Sequence, residues 1–265
     1  MGSGVLGVDF SGARRAGDAL WVTVARETST GLVVEDCYRA TAKWGRDRES
    51  AHAGLVDRIT DEDVATAGLD FPFSLPQRLL EDVGDGEWRG FLEWVAGGDG
   101  PTDSASFSTA CRDRAEGLTG SRDVRRETDL QRAALCPYTN RVRSMTYHGA
   151  RNVLGRLAPR EDTAVVPMQA DDAETVVCEV YPAATFGWLG CYREGYKGDD
   201  GARDRRAKNI ETIAACSVDV GEHRETYLGN HDALDSLAAA VSAARVCDGS
   251  RPEPMGPAAE GHIYV

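Results

Sequence analysis

Three apolar runs rich in β-branched residues each lead into one acid and then at once into small or turn-forming residues. They are VLGVDFSG with Asp9, ATAGLDFPFSLP with Asp70, and TVVCEVYPAATF with Glu179. A buried strand that ends at the mouth of a pocket has this pattern. A fourth segment, HDALDSLAAAV, is a helix rich in alanine and leucine whose Asp232 and Asp235, three residues apart, share one face. In an α/β sheet, ligands bind beyond the carboxyl ends of the parallel strands, so acids placed there can converge on one edge. Crowded carboxylates repel one another, and divalent cations are the usual remedy.

The rest of the chain supplies a frame for such a sheet. Strands are expected near 4–10, 19–26 and 31–39, joined as a meander by the short turns GARRAGD and TSTG. A helix near 48–60 then crosses over to a strand at 64–70 that lies parallel to the first. Residues 71–160 leave this alternation: Trp88, Phe91, Leu92 and Val95 have helical spacing, a polar stretch covers 99–109, and arginine-rich segments lead to a helix at 147–158. We read 71–160 as a largely helical insertion carrying specificity within a single domain spanning 1–265. A fifth strand at 174–181, helices at 202–216 and 231–246, and a terminal HIYV strand complete the chain.

Composition narrows the function classes. No stretch approaches the roughly 18 apolar residues of a membrane span, and no basic residue precedes the first apolar run, so neither a membrane helix nor a signal peptide is expected. The seven cysteines (37, 111, 136, 178, 191, 216 and 247) contain no C-x-x-C pair, which argues for free thiols in a reducing cytoplasm and against zinc. Several of them, such as Cys178 and Cys216, fall in apolar runs where burial is expected. The net charge is −13, with 27 arginines but 3 lysines against 25 aspartates and 18 glutamates. That bias resembles a composition adapted to high salt, where an acidic surface maintains solubility. Residues 112–160 run the other way, with 11 arginines against 5 acids, so positive charge is concentrated where an anionic substrate could be held.

Two divalent ions about 4 Å apart can drive in-line cleavage of a phosphodiester. Mg²⁺ or Mn²⁺ would take oxygen ligands alone. Asp9 is the candidate bridge between the metals, with Asp70, Glu179, Asp232 and Asp235 completing the catalytic set. Each acid also has an ordinary role open to it: a turn for Asp9, a loop cap for Asp70, an arginine partner for Glu179, a helix cap for Asp232. Arg125 and Arg126 in RRETD and Lys197 in EGYKGDD are candidates for gripping a substrate phosphate, although Arg125 could instead pair with Asp129. Glu260 could approach from the C-terminus, and His231 could assist proton transfer beside Asp232. No P-loop or dinucleotide fingerprint occurs.

The set GVDFSGA, GLDFPFSLP, RRETD, CEVYPAATFGWLG followed by YK, HDALDSLAAAVSA and EGHIYV resembles the domain of unknown function 429 (DUF429) family in order and spacing, from about residue 4 to 265. The resemblance implies a ribonuclease H-like fold: a mixed five-stranded sheet in the order 3-2-1-4-5, flanked by helices. It also implies metal-dependent nuclease activity on DNA or RNA. It matches Asp9 to the first-strand aspartate, Asp70 to the acid ending the fourth strand, and Asp232 and Asp235 to the closing-helix pair, and it offers Glu179 no clear counterpart. Two other readings remain. One is a metal- or nucleic-acid-binding protein without turnover. The other is an actin-like or sugar-kinase phosphotransferase, for which GVDFSGA fits loosely and the Gly-rich phosphate loops are missing. If the acidic composition is an adaptation to salt, activity on nucleic acid will survive or rise in molar KCl, against the usual loss of affinity with salt; a steep decline of rate with added KCl would refute the adaptation.

Overall fold

The computed structural model describes residues 3–170, 172–198, 200–247 and 252–265. Among these, eight strands form one mixed sheet: β1 (Gly4–Asp9), β2 (Trp21–Thr28), β3 (Gly31–Arg39), β4 (Val64–Leu69), β5 (Thr163–Val166), β6 (Thr175–Val180), β7 (Val218–Asp219) and β8 (Ile263–Tyr264). The helices in the first half are α1 (Arg48–Ile59), α2 (Gln77–Val83), α3 (Trp88–Ala96), α4 (Ser104–Thr119) and α5 (Glu127–Arg132). They are followed by α6 (Arg143–Gly149), α7 (Gly155–Leu157), α8 (Pro182–Leu189), α9 (Ala202–Ala215), α10 (Arg224–Gly229) and α11 (His231–Cys247). A π-helical turn, Ala150–Leu154, joins α6 to α7 without a break.

The fold is a mixed α/β sheet flanked by helices, but its strand order is not the five-strand 3-2-1-4-5 expected. The order is β5-β6-β4-β1-β2-β3-β7, with β8 paired to β6. The meander β1–β2–β3 is antiparallel, and β1, β4 and β6 run parallel. The extra strands explain the difference. β5 extends the sheet past β6, two-residue β7 extends it past β3, and β8 continues along the edge of β6 where β5 stops. β5 and β7, of four and two residues, are too short to show a period in sequence and escape a pattern reading, whereas β8 falls within the expected terminal HIYV strand.

Alternation along β1 divides the core. Leu6 and Val8 pack with Leu55, Phe91, Phe107 and Leu157, on the face covered by α1 and the helices of 71–160. Val5 packs with Phe186, Ile210, Leu234 and Leu237, on the face covered by α8–α11. α11 lies against this second face because two strands present glycines to it. A Cβ at Gly7 would stand 2.1 Å from the Ala240 nitrogen and 2.2 Å from the Ser236 oxygen, and one at Gly68 would stand 2.8 Å from the Ala239 oxygen. No side chain fits there, and the absence of one brings the helix backbone onto the sheet. None of the seven cysteines forms a disulfide; Cys178 is buried as expected, whereas Cys216 is exposed because it falls just past the end of α9. Among the described residues no helix is long and apolar enough to cross a membrane.

Gly7→Ala will force α11 away from β1 and cost about 1–3 kcal/mol or more. Gly117→Ala, in the interior of α4 with nothing near its added methyl, will stabilise by about 0.5–1 kcal/mol. Urea denaturation of both variants reads the contrast as midpoint shifts of opposite sign at unchanged slope.

Candidate metal centre

Strand register brings the first two acids together. Val8 is the neighbour of Leu69, and the Asp70 amide donates to the Val8 carbonyl at 3.0 Å, so Asp9 and Asp70 leave adjacent parallel strands at one level. Alternation then puts Asp9 on the face of Val5 and Gly7, and Asp70 on the face of Gly68, the side that α11 covers. Because α11 contacts Gly7 through Ser236, the preceding Asp235 is carried to the same spot, where it is 1% exposed. Asp232 sits one turn earlier and lines the same cavity. The cap of α11 is Asn230, whose side chain accepts the Ala233 amide at 2.9 Å, so Asp232 has no capping duty.

The electrostatics of this cluster are unbalanced. Burial pushes the Asp9 carboxyl well above its ordinary pKa, the charges of Asp235, Asp70 and Asp232 push it the same way, and Lys197 alone opposes them. Burial and then Asp235 likewise raise Asp70 well above its usual range. Asp235 is raised by burial, against two donors that favour its charged form: Lys197 Nζ at 2.6 Å from Oδ2 and the Tyr196 hydroxyl at 2.8 Å from Oδ1. Burial lowers the Lys197 pKa, but Asp235, Asp9 and Asp70 outweigh it and the net shift is upward. Four acids therefore share one lysine whose side chain is 54% exposed. Ligand atoms of His231, Asp232 and Asp235 also lie within 4.8 Å of one another, with His231 Nδ1 at 2.6 Å from Asp232 Oδ1. An all-carboxylate set with excess negative charge suits Mg²⁺ or Mn²⁺, hard cations that take oxygen ligands.

Glu179 lines the same cavity and its charge also raises Asp70, but its carboxylate is held in a different cluster. Its register partner is Leu69 rather than Asp70, so it projects from the opposite face of the sheet. There it meets Arg126, which is fully buried: Nη1 donates to Glu179 Oε2 at 2.7 Å and Nη2 to Oε1 at 2.5 Å. The same guanidinium holds Asp129 through Nη2 at 2.7 Å and Nε at 3.0 Å, and the Phe73 amide gives Glu179 a further bond at 2.9 Å. Glu179 thus takes the arginine-partner role, and Arg126 has no donor geometry left for a substrate phosphate. Asp129 pairs with Arg126 rather than Arg125, and Arg125 is exposed outside the cavity lining. Glu260 is also spoken for, accepting the first amides of α2 and α5, Gln77 at 2.6 Å and Glu127 at 3.0 Å.

A cavity of about 360 Å³ lies over the cluster, lined by Asp9, Asp70, Asp232 and Lys197. Across from them stand apolar Phe71, Leu135, Val142 and Met145, and the Arg126–Asp129–Glu179 cluster also reaches the lining. Sequence reasoning did not find Tyr196 as the partner of Asp235. The only signal available was its position beside Lys197 in a loop otherwise polar.

The chain belongs to the family of proteins of unknown function DUF429, whose family model matches residues 7–260. No curated protein and no solved structure matches it.

Two substitutions separate the two faces. In Asp9→Asn the repulsion is relieved. Because the native pKa of Asp9 lies above the unfolded value, the native state binds the extra proton between them, and its contribution to stability falls as pH rises through that interval. The metal-free variant will therefore melt higher than wild type at neutral pH, by about 2–4 °C per kcal/mol relieved, and the gap will close as pH drops toward the usual carboxylate range. Arg126→Leu leaves Glu179 and Asp129 buried without a partner and will cost about 3–5 kcal/mol. Thermal melts across pH check both, and an unchanged Asp9→Asn melting temperature would mean the cluster is not strained.

Proposed function

We propose that this protein is a divalent-metal-dependent phosphodiesterase of ribonuclease H-like type, acting on a nucleic-acid strand. The observation that carries the reading is the gathering of Asp9, Asp70, Asp232 and Asp235 from two strand ends and one helix face around a single lysine. The meander β1–β3 followed by a parallel crossover to β4 supports the fold assignment. Asp9 and Asp70 would hold the cation from the sheet, with Asp235 and Asp232 holding it from α11. When bound, the metal supplies an activated water and neutralises charge on the phosphoryl oxygens.

The protein's own residues do the rest. Tyr196 fixes the Asp235 carboxylate by donating to Oδ1, the kind of outer partner that orients a ligand. Lys197, half-exposed, can exchange its bond to Asp235 Oδ2 for one to a non-bridging phosphate oxygen. His231 lies against Asp232, with Nδ1 2.6 Å from Oδ1, and is placed to pass a proton to or from that carboxylate. The apolar wall of Phe71, Leu135, Val142 and Met145 accepts the face of one nucleoside and excludes water from the reacting group.

A second reading, a small phosphodiester in place of a polymer, is favoured by the fate of the arginines of 112–160. Arg112, Arg114, Arg122, Arg126 and Arg160 are all engaged in ion pairs with the protein's own acids. Calorimetric titration with Mn²⁺, alongside cleavage of labelled DNA, RNA and a chromogenic diester, tests both. Wild type will bind Mn²⁺ and cleave, Asp9→Asn will lose both, and Tyr196→Phe will bind about 10–100-fold more weakly. Cleavage of the diester alone would select the small substrate, binding without any cleavage would leave a binding protein, and no binding would sink the shared metal site.

A further inference from the structure

A second cavity, of about 510 Å³, lies next to the carboxylate site with the Phe10–Ser11 turn between them. Phe10 and Ser11 line the first cavity. His52, which lines the second, donates from Nε2 to the Ser11 carbonyl at 2.9 Å and packs its ring 4.7 Å from that of Phe10. The second cavity is lined by three arginines from two elements. Arg48 opens α1, while Arg151 and Arg156 lie on the continuous helical run from 143 to 157. His148, Asn152 and Arg156 follow one another at four-residue spacing, Arg151 stands three residues after His148, and the π turn at Ala150–Leu154 lies among them.

These cations are not neutralised. Arg48 Nε is buried without an acceptor, and its Nη1 bonds His148 Nε2. Arg151 Nη1 is held by the Val95 carbonyl at 3.1 Å and the Tyr147 hydroxyl at 2.9 Å, which steadies the guanidinium without satisfying its charge. Arg156 makes no hydrogen bond or ion pair among the described residues. Of the two acids on the lining, Asp47 is committed to Ser50 at the start of α1, accepting its amide at 2.9 Å and its hydroxyl at 2.8 Å, and Glu49 is exposed. Both histidines are correspondingly kept neutral: burial and then Arg48 push His148 down to about 3, and burial, Arg48 and Arg156 push His52 down to about 4. Neutral His52 accepts from Asn152 Nδ2 at 3.2 Å through its other nitrogen. Three guanidiniums on one cavity, none of them in an ion pair with Asp47 or Glu49, have the chemistry for phosphate oxygens.

We propose that this cavity is a phosphate-binding subsite formed by Arg48, Arg151 and Arg156, and that it holds a phosphate neighbouring the scissile one on the same strand. The second half of this statement rests on the phosphodiesterase reading; the first does not. It also gives an acidic protein a place to hold a polyanion that Arg112, Arg114 and Arg122, paired with Asp123, Asp82 and Asp113, do not supply.

Binding is measured without metal, so the result is independent of any cleavage. The probes are inorganic phosphate and a short single-stranded DNA oligonucleotide, titrated into wild type, Arg156→Gln and Asp9→Asn. Phosphate will bind wild type and Asp9→Asn alike and bind Arg156→Gln about 10–100-fold more weakly. The oligonucleotide will lose affinity in Arg156→Gln as well, with its salt slope shallower by about one ion. Phosphate that fails to bind wild type, or binds Arg156→Gln equally well, overturns the subsite. Phosphate binding that depends on Arg156 while oligonucleotide binding does not overturns the neighbouring-phosphate assignment and leaves a site for a free oxyanion.

Discussion

The buried guanidinium of Arg126 is the interaction on which the arrangement of this molecule depends. It is enclosed between Glu179 on β6 and Asp129 on α5, and its Nη1 also reaches the Glu260 carbonyl at 3.1 Å. One side chain thus joins the sheet, the helical segment 71–160 and the C-terminal segment. Two carboxylates and a carbonyl satisfy it from three directions, which is the condition under which a buried charge is tolerated. Arg126 links the start of α5 to β6 directly, beside the bond from the Ile263 amide to Thr128 Oγ1, and Leu135, Val142 and Met145 of the apolar wall follow α5 in the chain.

The two faces of the sheet handle charge in opposite ways. On the face toward α5, one arginine is matched by Glu179 and Asp129 in bidentate geometry. On the face toward α11, Asp9, Asp70, Asp232 and Asp235 confront Lys197, and burial raises the pKa of Asp9, Asp70 and Asp235. The first cluster is matched in charge and hydrogen bonds; the second is strained as it stands and relaxes when a cation or proton arrives. Sites where titratable groups are pushed far from their ordinary range are where function concentrates. The arginine-lined cavity beyond the Phe10–Ser11 turn is the complement, an excess of positive charge awaiting an anion.

Much of this was legible in the residues. The apolar runs before Asp9 and Asp70, the Gly-bearing turns of the meander and the helical spacing of α11 located the sheet and three of its neighbouring strands. Glu179, placed with the catalytic acids from its sequence, does reach the cavity, but one residue of register aligns it with Leu69 and turns it to the face where Arg126 holds it. The Arg125–Arg126 pair failed because adjacent residues at the start of α5 point apart, one into the core and one to solvent. Arg48 and Arg151 are separated by a hundred residues and carry no local signature linking them, so their cavity was invisible in sequence.

By itself, then, the sequence determined what depends on short-range chemistry: which runs become strands, where turns break them, and which helix presents two acids on one face. These follow from side-chain period and backbone preference within a dozen residues. Only the tertiary structure decided which acids meet a cation and which meet an arginine. That outcome is set by strand register and by the close approach of α11 at Gly7 and Gly68. A shift of one residue in register exchanges the two faces of a strand, and no local preference records which register the assembled sheet will adopt.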